Sequence, residues 1–240
     1  ISAQRAYAMS SINPICVALD TPSLSTALEW SSLLAPHVGM VKLGMEFVAA
    51  NGPNGIRAVI ATGARVFVDL KFHDIPNTVA GAMREMAKLS PAILNVHAQG
   101  GEAMMRAAAE AVANTTPRPK LIAVTVLTSL GSSDLSAMGI GATPLEHAVR
   151  LARLAKQSGL DGVVCSPQEI AAVRNACGKD FLIVTPGVRP AGADLGDQKR
   201  VMTPSEAVNA GADILVIGRP ITGAADPVAA AAAIAATLRA

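Results

Sequence analysis

The chain has 240 residues, 51% of them hydrophobic and only 2% aromatic, enough for one substantial core and within the size of a single α/β barrel. Its 20 basic and 18 acidic residues leave a net charge of +2, too small for the electrostatic footprint of a nucleic-acid or anionic-membrane binder. An anionic ligand therefore has to be held by local groups.

The first residues, "ISAQRAYAMSSINP", lack the apolar centre of a secretory signal, and no apolar run is long enough to cross a bilayer. Cys16, Cys165 and Cys177 are odd in number, widely spaced and without a CxxC pair, so they read as reduced, buried thiols rather than a disulfide framework or a structural zinc site. The expectation is a soluble, cytoplasmic protein.

Apolar, β-rich runs then alternate with helix-period stretches. In chain order the strand candidates are "ICVALD", "MVKLG", "RVFVDLK", "AILNVHA", "KLIAVTVLT", "GVVCS", "FLIVTPG" and "DILVIG". Between them fall amphipathic or Ala-rich segments such as "SLSTALEWSSLLAPHV", "VAGAMREMAKLS", "GEAMMRAAAEAVANT", "LEHAVRLARLAKQSG" and "SPQEIAAVRNACG". The tail "DPVAAAAAIAATLRA" reads as a closing helix with Asp226 as N-cap and Pro227 at its first position.

Strict alternation implies parallel strands with helical crossovers, and near-continuous apolar runs imply strands covered on both faces. Eight such units closing on themselves give a (β/α)8 TIM barrel, a single catalytic domain over residues 1–240. The rival is a doubly wound open sheet, but "ICVALDTPS" stands where a GxGxxG would follow the first strand.

In a barrel, polar residues at the C-terminal ends of strands face substrate. Here those are Asp20, Lys42, Asp69 with Lys71, Thr128 with Ser129, and Gly218 with Arg219. Side chains alternate across a strand, so Asp69 and Lys71 share one face and can touch. One reading is a structural ion pair; the functional one is a cationic lysine acting as proton donor rather than amine nucleophile. Asp74 follows the strand ahead of Pro76, where a helix cap is the plain alternative. His73 and His97 read as satisfied histidines, and no metal site is assigned.

With these residues in view, "DLKFHDIPNTV" closely resembles the signature of the orotidine 5′-phosphate decarboxylase family, and the likeness extends over essentially the whole chain. "VALD", "VKLG", "NVHAQGG", "TVLTS", "TPGVRP" and "VIGRPIT" follow in the expected order. The resemblance implies a homodimeric, cofactor-free and metal-free TIM barrel that converts orotidine 5′-monophosphate to uridine 5′-monophosphate and carbon dioxide. It further implies that Lys71 protonates C6 beside Asp69, and that Lys42 and Asp20 serve the ribose hydroxyls and the charge network. Asp74 and Thr78 would come from the partner subunit. Thr128 and Ser129 would lie near the pyrimidine, and Pro186, Arg189, Gln198 and Arg219 would bind base and phosphate.

Independent chemistry points the same way. Decarboxylation without a cofactor leaves a carbanion that only electrostatics can stabilise, which suits Lys71. Barrel phosphates usually sit on the loops after strands seven and eight, where "TPGVRP" and "IGRP" fall, with Gly218 allowing close backbone approach. The Gly-rich segment "GVRPAGADLGDQKR", residues 187–200, reads as a lid. Two alternatives stay open: a metal-dependent sugar-phosphate aldolase or decarboxylase of the same barrel group, and a non-catalytic nucleotide-binding barrel.

Overall fold

The computed structural model describes residues 13–190 and 202–238. Each apolar run of the sequence holds one strand: β1 (Ile15–Ala18), β2 (Met40–Gly44), β3 (Val66–Phe72), β4 (Ile93–His97), β5 (Lys120–Val124), β6 (Gly162–Val164), β7 (Leu182–Pro186) and β8 (Ile214–Ile217). They pair in sequence order, every pair parallel, and β8 returns to β1 to close a barrel. The (β/α)8 expectation is met.

Around it run α1 (Leu24–Leu34), α2 (Met45–Ala61), α3 (Pro76–Ala87), α4 (Gly101–Val112), α5 (Ser132–Ala137), α6 (Pro144–Gln157), α7 (Ile170–Cys177), α8 (Pro204–Asn209), α9 (Arg219–Thr222) and α10 (Pro227–Thr237). Their starts are written in the sequence. The Ser23 side chain accepts the Thr26 amide, Thr143 and Glu146 form a capping box ahead of Pro144, and Asp226 accepts the Ala229 amide at 2.9 Å. α2 is interrupted at Gly52, whose φ of 60° only glycine adopts readily, and Pro53 restarts the helix beyond it.

Strand parity sorts the core into two shells. Cys16, Phe67, Ile93, Ile122, Val184 and Ile214 fill the barrel interior, while Val17, Leu43, Val68, Leu94 and Val163 point outward against helix residues such as Met83, Met104 and Ala152. Each large side chain buried this way contributes roughly 1.5–3 kcal/mol. Between β6 and β7 the backbones approach so closely that a Cβ on Gly162 would overlap the Leu182 carbonyl. Only glycine closes the barrel there.

Several strands end earlier than their apolar runs, and at three of them candidate residues lie just beyond the end. β1 stops at Ala18, two residues before Asp20, and β8 stops at Ile217, so Gly218 caps α9. β5 stops at Val124; the Thr125 amide and hydroxyl both donate to the Val164 carbonyl, at 3.1 and 2.8 Å, and Thr128 and Ser129 follow in a turn. At the far end of the β7 loop, Val188 bridges to Met202 and the Arg189 amide donates to the Met202 carbonyl at 2.9 Å. Of the 187–200 segment expected as a lid, residues 191–200, Gln198 among them, lie outside the described residues.

Candidate active site

Inward parity continues up β2, β3 and β4 from the apolar layer Met40, Phe67 and Ile93 to a polar layer of Lys42, Asp69 and Asn95. The barrel interior thus ends, at its C-terminal mouth, in charge. Lys42 Nζ stands 3.1 Å from Asp20 Oδ1 and 3.5 Å from Asp69 Oδ2, and Lys71 Nζ stands 2.8 Å from Asp69 Oδ1. Acid and base alternate from Asp20 through Lys42 and Asp69 to Lys71.

This alternation governs protonation. Burial alone would push the Lys42 ammonium down, but Asp69 and Asp20 outweigh it and hold its pKa above the ordinary lysine range. Burial alone would raise the Asp69 carboxyl, yet Lys42, Lys71 and the hydrogen bonds from Lys71 and Asn95 hold it below the ordinary carboxylate range. Both groups are therefore charged at neutral pH. Beneath them the Cys16 thiol is pushed up to about 12, chiefly by burial, and stays neutral.

The contact between Asp69 and Lys71 is as expected, but simple strand alternation is not what makes it. Val68 pairs with Leu94 and Phe72 with Val96, so β3 carries four steps where β4 carries two, and Lys71 sits in the left-handed region with φ of 52°. For a residue with a side chain that conformation costs roughly 1–2 kcal/mol. Its amide donates to Asn95 Oδ1 at 2.8 Å, and Asn95 Nδ2 donates to Asp69 Oδ1 at 2.7 Å. Sequence reading passed over Asn95; its signal was a lone carboxamide at an inward position of an apolar strand.

A cavity of about 300 Å³ opens above these groups, a volume within the range of small-molecule sites. Asp20, Lys42, Asp69, Lys71, Thr128, Pro186, Arg189, Gly218 and Arg219 all reach it, nine of the candidates drawn from the sequence. Val126 and Leu127, which sequence reading had placed in a strand, form an apolar wall instead. A Cβ on Gly44 would stand 3.2 Å from Lys42 Nζ, so that glycine leaves room for the ammonium.

Three candidates are not brought into the cavity. Ser129 is exposed in its turn. Asp74 and Thr78 belong to an exposed run, residues 73–78, and do not line the cavity. The Asp74 carboxylate accepts the Ile75 amide at 2.7 Å, the N-cap of α3 being Ile75 itself. Among the described residues no ion pair joins Asp74 to Lys71. His73 and His97 stack with ring centroids 5.5 Å apart, and among the described residues no group of three His, Cys, Asp or Glu is arranged to hold a metal ion. Nor is any described helix long and apolar enough to cross a membrane.

A closed parallel barrel whose apolar interior ends in paired charges beneath an arginine-rimmed cavity is the framework of a β/α-barrel enzyme for an anionic substrate. The family can be stated more narrowly. Residues 13–234 match the family model described as orotidine 5′-phosphate decarboxylase / HUMPS, and the chain belongs to that family. It is 56% identical to an orotidine 5′-phosphate decarboxylase of Moorella thermoacetica over 98% of this chain and 96% of that one. It is 54% identical to one of Rhodospirillum rubrum over 93% of each. The crystal structure of orotidine 5′-phosphate decarboxylase from Lactobacillus acidophilus superposes with a TM-score of 0.84 at 40% identity, covering 95% of this chain and 99% of that one.

Proposed function

We propose that this chain decarboxylates orotidine 5′-monophosphate to uridine 5′-monophosphate and carbon dioxide, using neither cofactor nor metal. The observation that carries the reading is the alternating chain Asp20, Lys42, Asp69 and Lys71, which ends on an ammonium facing the cavity. The relatives of like name support it.

When the bond from C6 to the carboxylate breaks, its electron pair stays on C6. Lys71 supplies the nearest positive charge, preorganised by Asp69, and then the proton that forms the new C6–H bond. Asp69 also crowds the substrate carboxylate with like charge, disfavouring the ground state. Lys71 regains its proton from water.

The remaining groups hold the nucleotide. Asp20 and Lys42 meet the ribose hydroxyls, and Thr128 and Pro186 meet the base, with Ser129 outside the cavity. Arg189, Gly218, Arg219 and Gln198 take the phosphate, Gln198 lying outside the described residues. Arg189 is nearly buried and already donates to the Val188 carbonyl at 3.0 Å, which fixes its guanidinium for that task.

The working form is a homodimer in which Asp74 and Thr78 complete the partner's site. Supporting this, Ile75, next to Asp74 in the chain, is a large apolar side chain left 68% exposed, and among the described residues no ion pair involves Asp74. We read the chain as one catalytic domain working in the cytoplasm, in keeping with three buried, unpaired cysteines.

The test is loss of the orotate absorbance on incubation with orotidine 5′-monophosphate in the presence of a chelator. Turnover that survives chelation is the expected result. Activity that collapses with chelation would favour a metal-dependent sugar-phosphate lyase, and binding of uridine 5′-monophosphate without carbon dioxide release would leave a nucleotide-binding barrel.

A further inference from the structure

The geometry points to Asn95 as the positioning residue of this site: its carboxamide holds the Lys71 backbone in its left-handed turn and fixes which oxygen of Asp69 meets the Lys71 ammonium. The inference rests on the decarboxylase reading for its kinetic consequence, though not for its structural one.

Asn95 is completely buried at an inward position of β4, two residues above Ile93 and its apolar layer, beside the buried Asp69. A carboxamide in such a place is costly unless both of its ends are bonded, and both are. Its oxygen accepts the Lys71 amide at 2.8 Å and its nitrogen donates to Asp69 Oδ1 at 2.7 Å, an arrangement that only one orientation of the amide allows. It fills the stretch where β3 is longer than β4, between the pairs Val68 with Leu94 and Phe72 with Val96.

Two consequences follow for the reacting group. Lys71, with φ of 52°, has its amide turned out of the regular β3–β4 ladder and would leave a partly buried donor without this partner if Asn95 were removed. Asp69 Oδ1 receives both Asn95 and Lys71, leaving Oδ2 toward Lys42 at 3.5 Å, so the rotation of the carboxylate is set from the β4 side. Asn95 touches the two groups that handle the reaction and does not line the cavity, so it acts through them.

The test uses Asn95→Ala, which removes both bonds, and Asn95→Asp, which keeps an acceptor for the Lys71 amide but sets a like charge against Asp69. With both variants, kcat should fall by about 10- to 100-fold, the scale of a misplacement near one ångström, while KM changes by less than about threefold because the ribose and phosphate groups are untouched. A crystal structure of Asn95→Ala should show Lys71 out of the left-handed region or its ammonium displaced from Asp69. If kcat stays within about threefold of wild type, or Lys71 keeps its φ and its 2.8 Å contact, the assignment is wrong. Should Asn95→Ala not fold, Asn95→Ser serves the same comparison, and hydrogen exchange of the Lys71 amide in the wild type reads the bond directly: rapid exchange would overturn it. If the wild type itself does not decarboxylate orotidine 5′-monophosphate, the decarboxylase reading falls, while the crystallographic and exchange results still decide the role of Asn95.

Discussion

Lys71 Nζ lies 2.8 Å from Asp69 Oδ1, and the backbone that delivers it there is left-handed at Lys71, with φ of 52°. A strained residue supporting a charged contact at the mouth of a cavity is the pattern expected where strain serves chemistry.

That relationship makes Lys71 the first residue to test. Lys71→Ala removes the proton donor and the nearest cation together, so turnover of orotidine 5′-monophosphate should drop by well over the roughly 10² to 10⁴ typical of losing a general acid alone. Lys71→Arg keeps a charge without a transferable proton and should also be deeply impaired. Near-wild-type turnover in either variant would sink the assignment, and borohydride trapping of substrate on Lys71 would replace it with a Schiff-base role.

Why some of this was legible in the sequence and some was not has physical reasons. Strands of a parallel barrel are covered on both faces, so all eight announced themselves as apolar runs. "KLIAVTVLT" overran β5 because Val126 and Leu127 are apolar for the sake of the cavity, not the sheet. Asp69 and Lys71 were paired correctly by an alternation that β3 does not keep, and the bulge that replaces it depends on Asn95, a neighbour 24 residues further on. Periodicity within one strand carries no information about that. The exposure of Asp74 and Thr78 likewise could not be read from one chain's pattern.

His97 offers a test of the electrostatics independent of activity. Burial, then the neighbouring His73 and Lys71, push its pKa from the ordinary 6.5 down to about 4. A histidine depressed on folding binds fewer protons in the native than in the unfolded state between those two values, so its contribution to stability is present above pH 6.5 and is lost as the pH falls toward 4. The imidazole resonances of His97 should stay in the neutral form down to about pH 5. Replacing it by Asn should flatten the pH dependence of the urea midpoint across that window. An imidazole titrating near 6.5 would show that the stacked pair is freely hydrated.

Arg219, exposed at the start of α9 and bordering the cavity, is expected to hold the phosphate. Arg219→Ala should lower kcat/KM for orotidine 5′-monophosphate by roughly 10- to 100-fold, the scale of a charge-assisted hydrogen bond. On orotidine, which lacks the phosphate, variant and wild type should match. An equal loss on both substrates would mean that Arg219 supports the barrel mouth rather than the phosphate.

The exposed position of Asp74, three residues beyond Lys71 yet outside the cavity that Lys71 borders, requires the dimer to be tested directly. If each site takes Lys71 from one chain and Asp74 from the other, Lys71→Ala and Asp74→Ala homodimers are both inactive, each lesion striking every site. In a mixed dimer the two-fold geometry sends both lesions to one site and neither to the other. With equal amounts and random exchange about half of the dimers are mixed, so about a quarter of all sites should be intact and activity should return from two dead parents. Native mass spectrometry would verify the exchange. If mixed dimers form and no activity returns, Asp74 works within its own chain or only orders the turn into α3, where its carboxylate accepts the Ile75 amide at 2.7 Å.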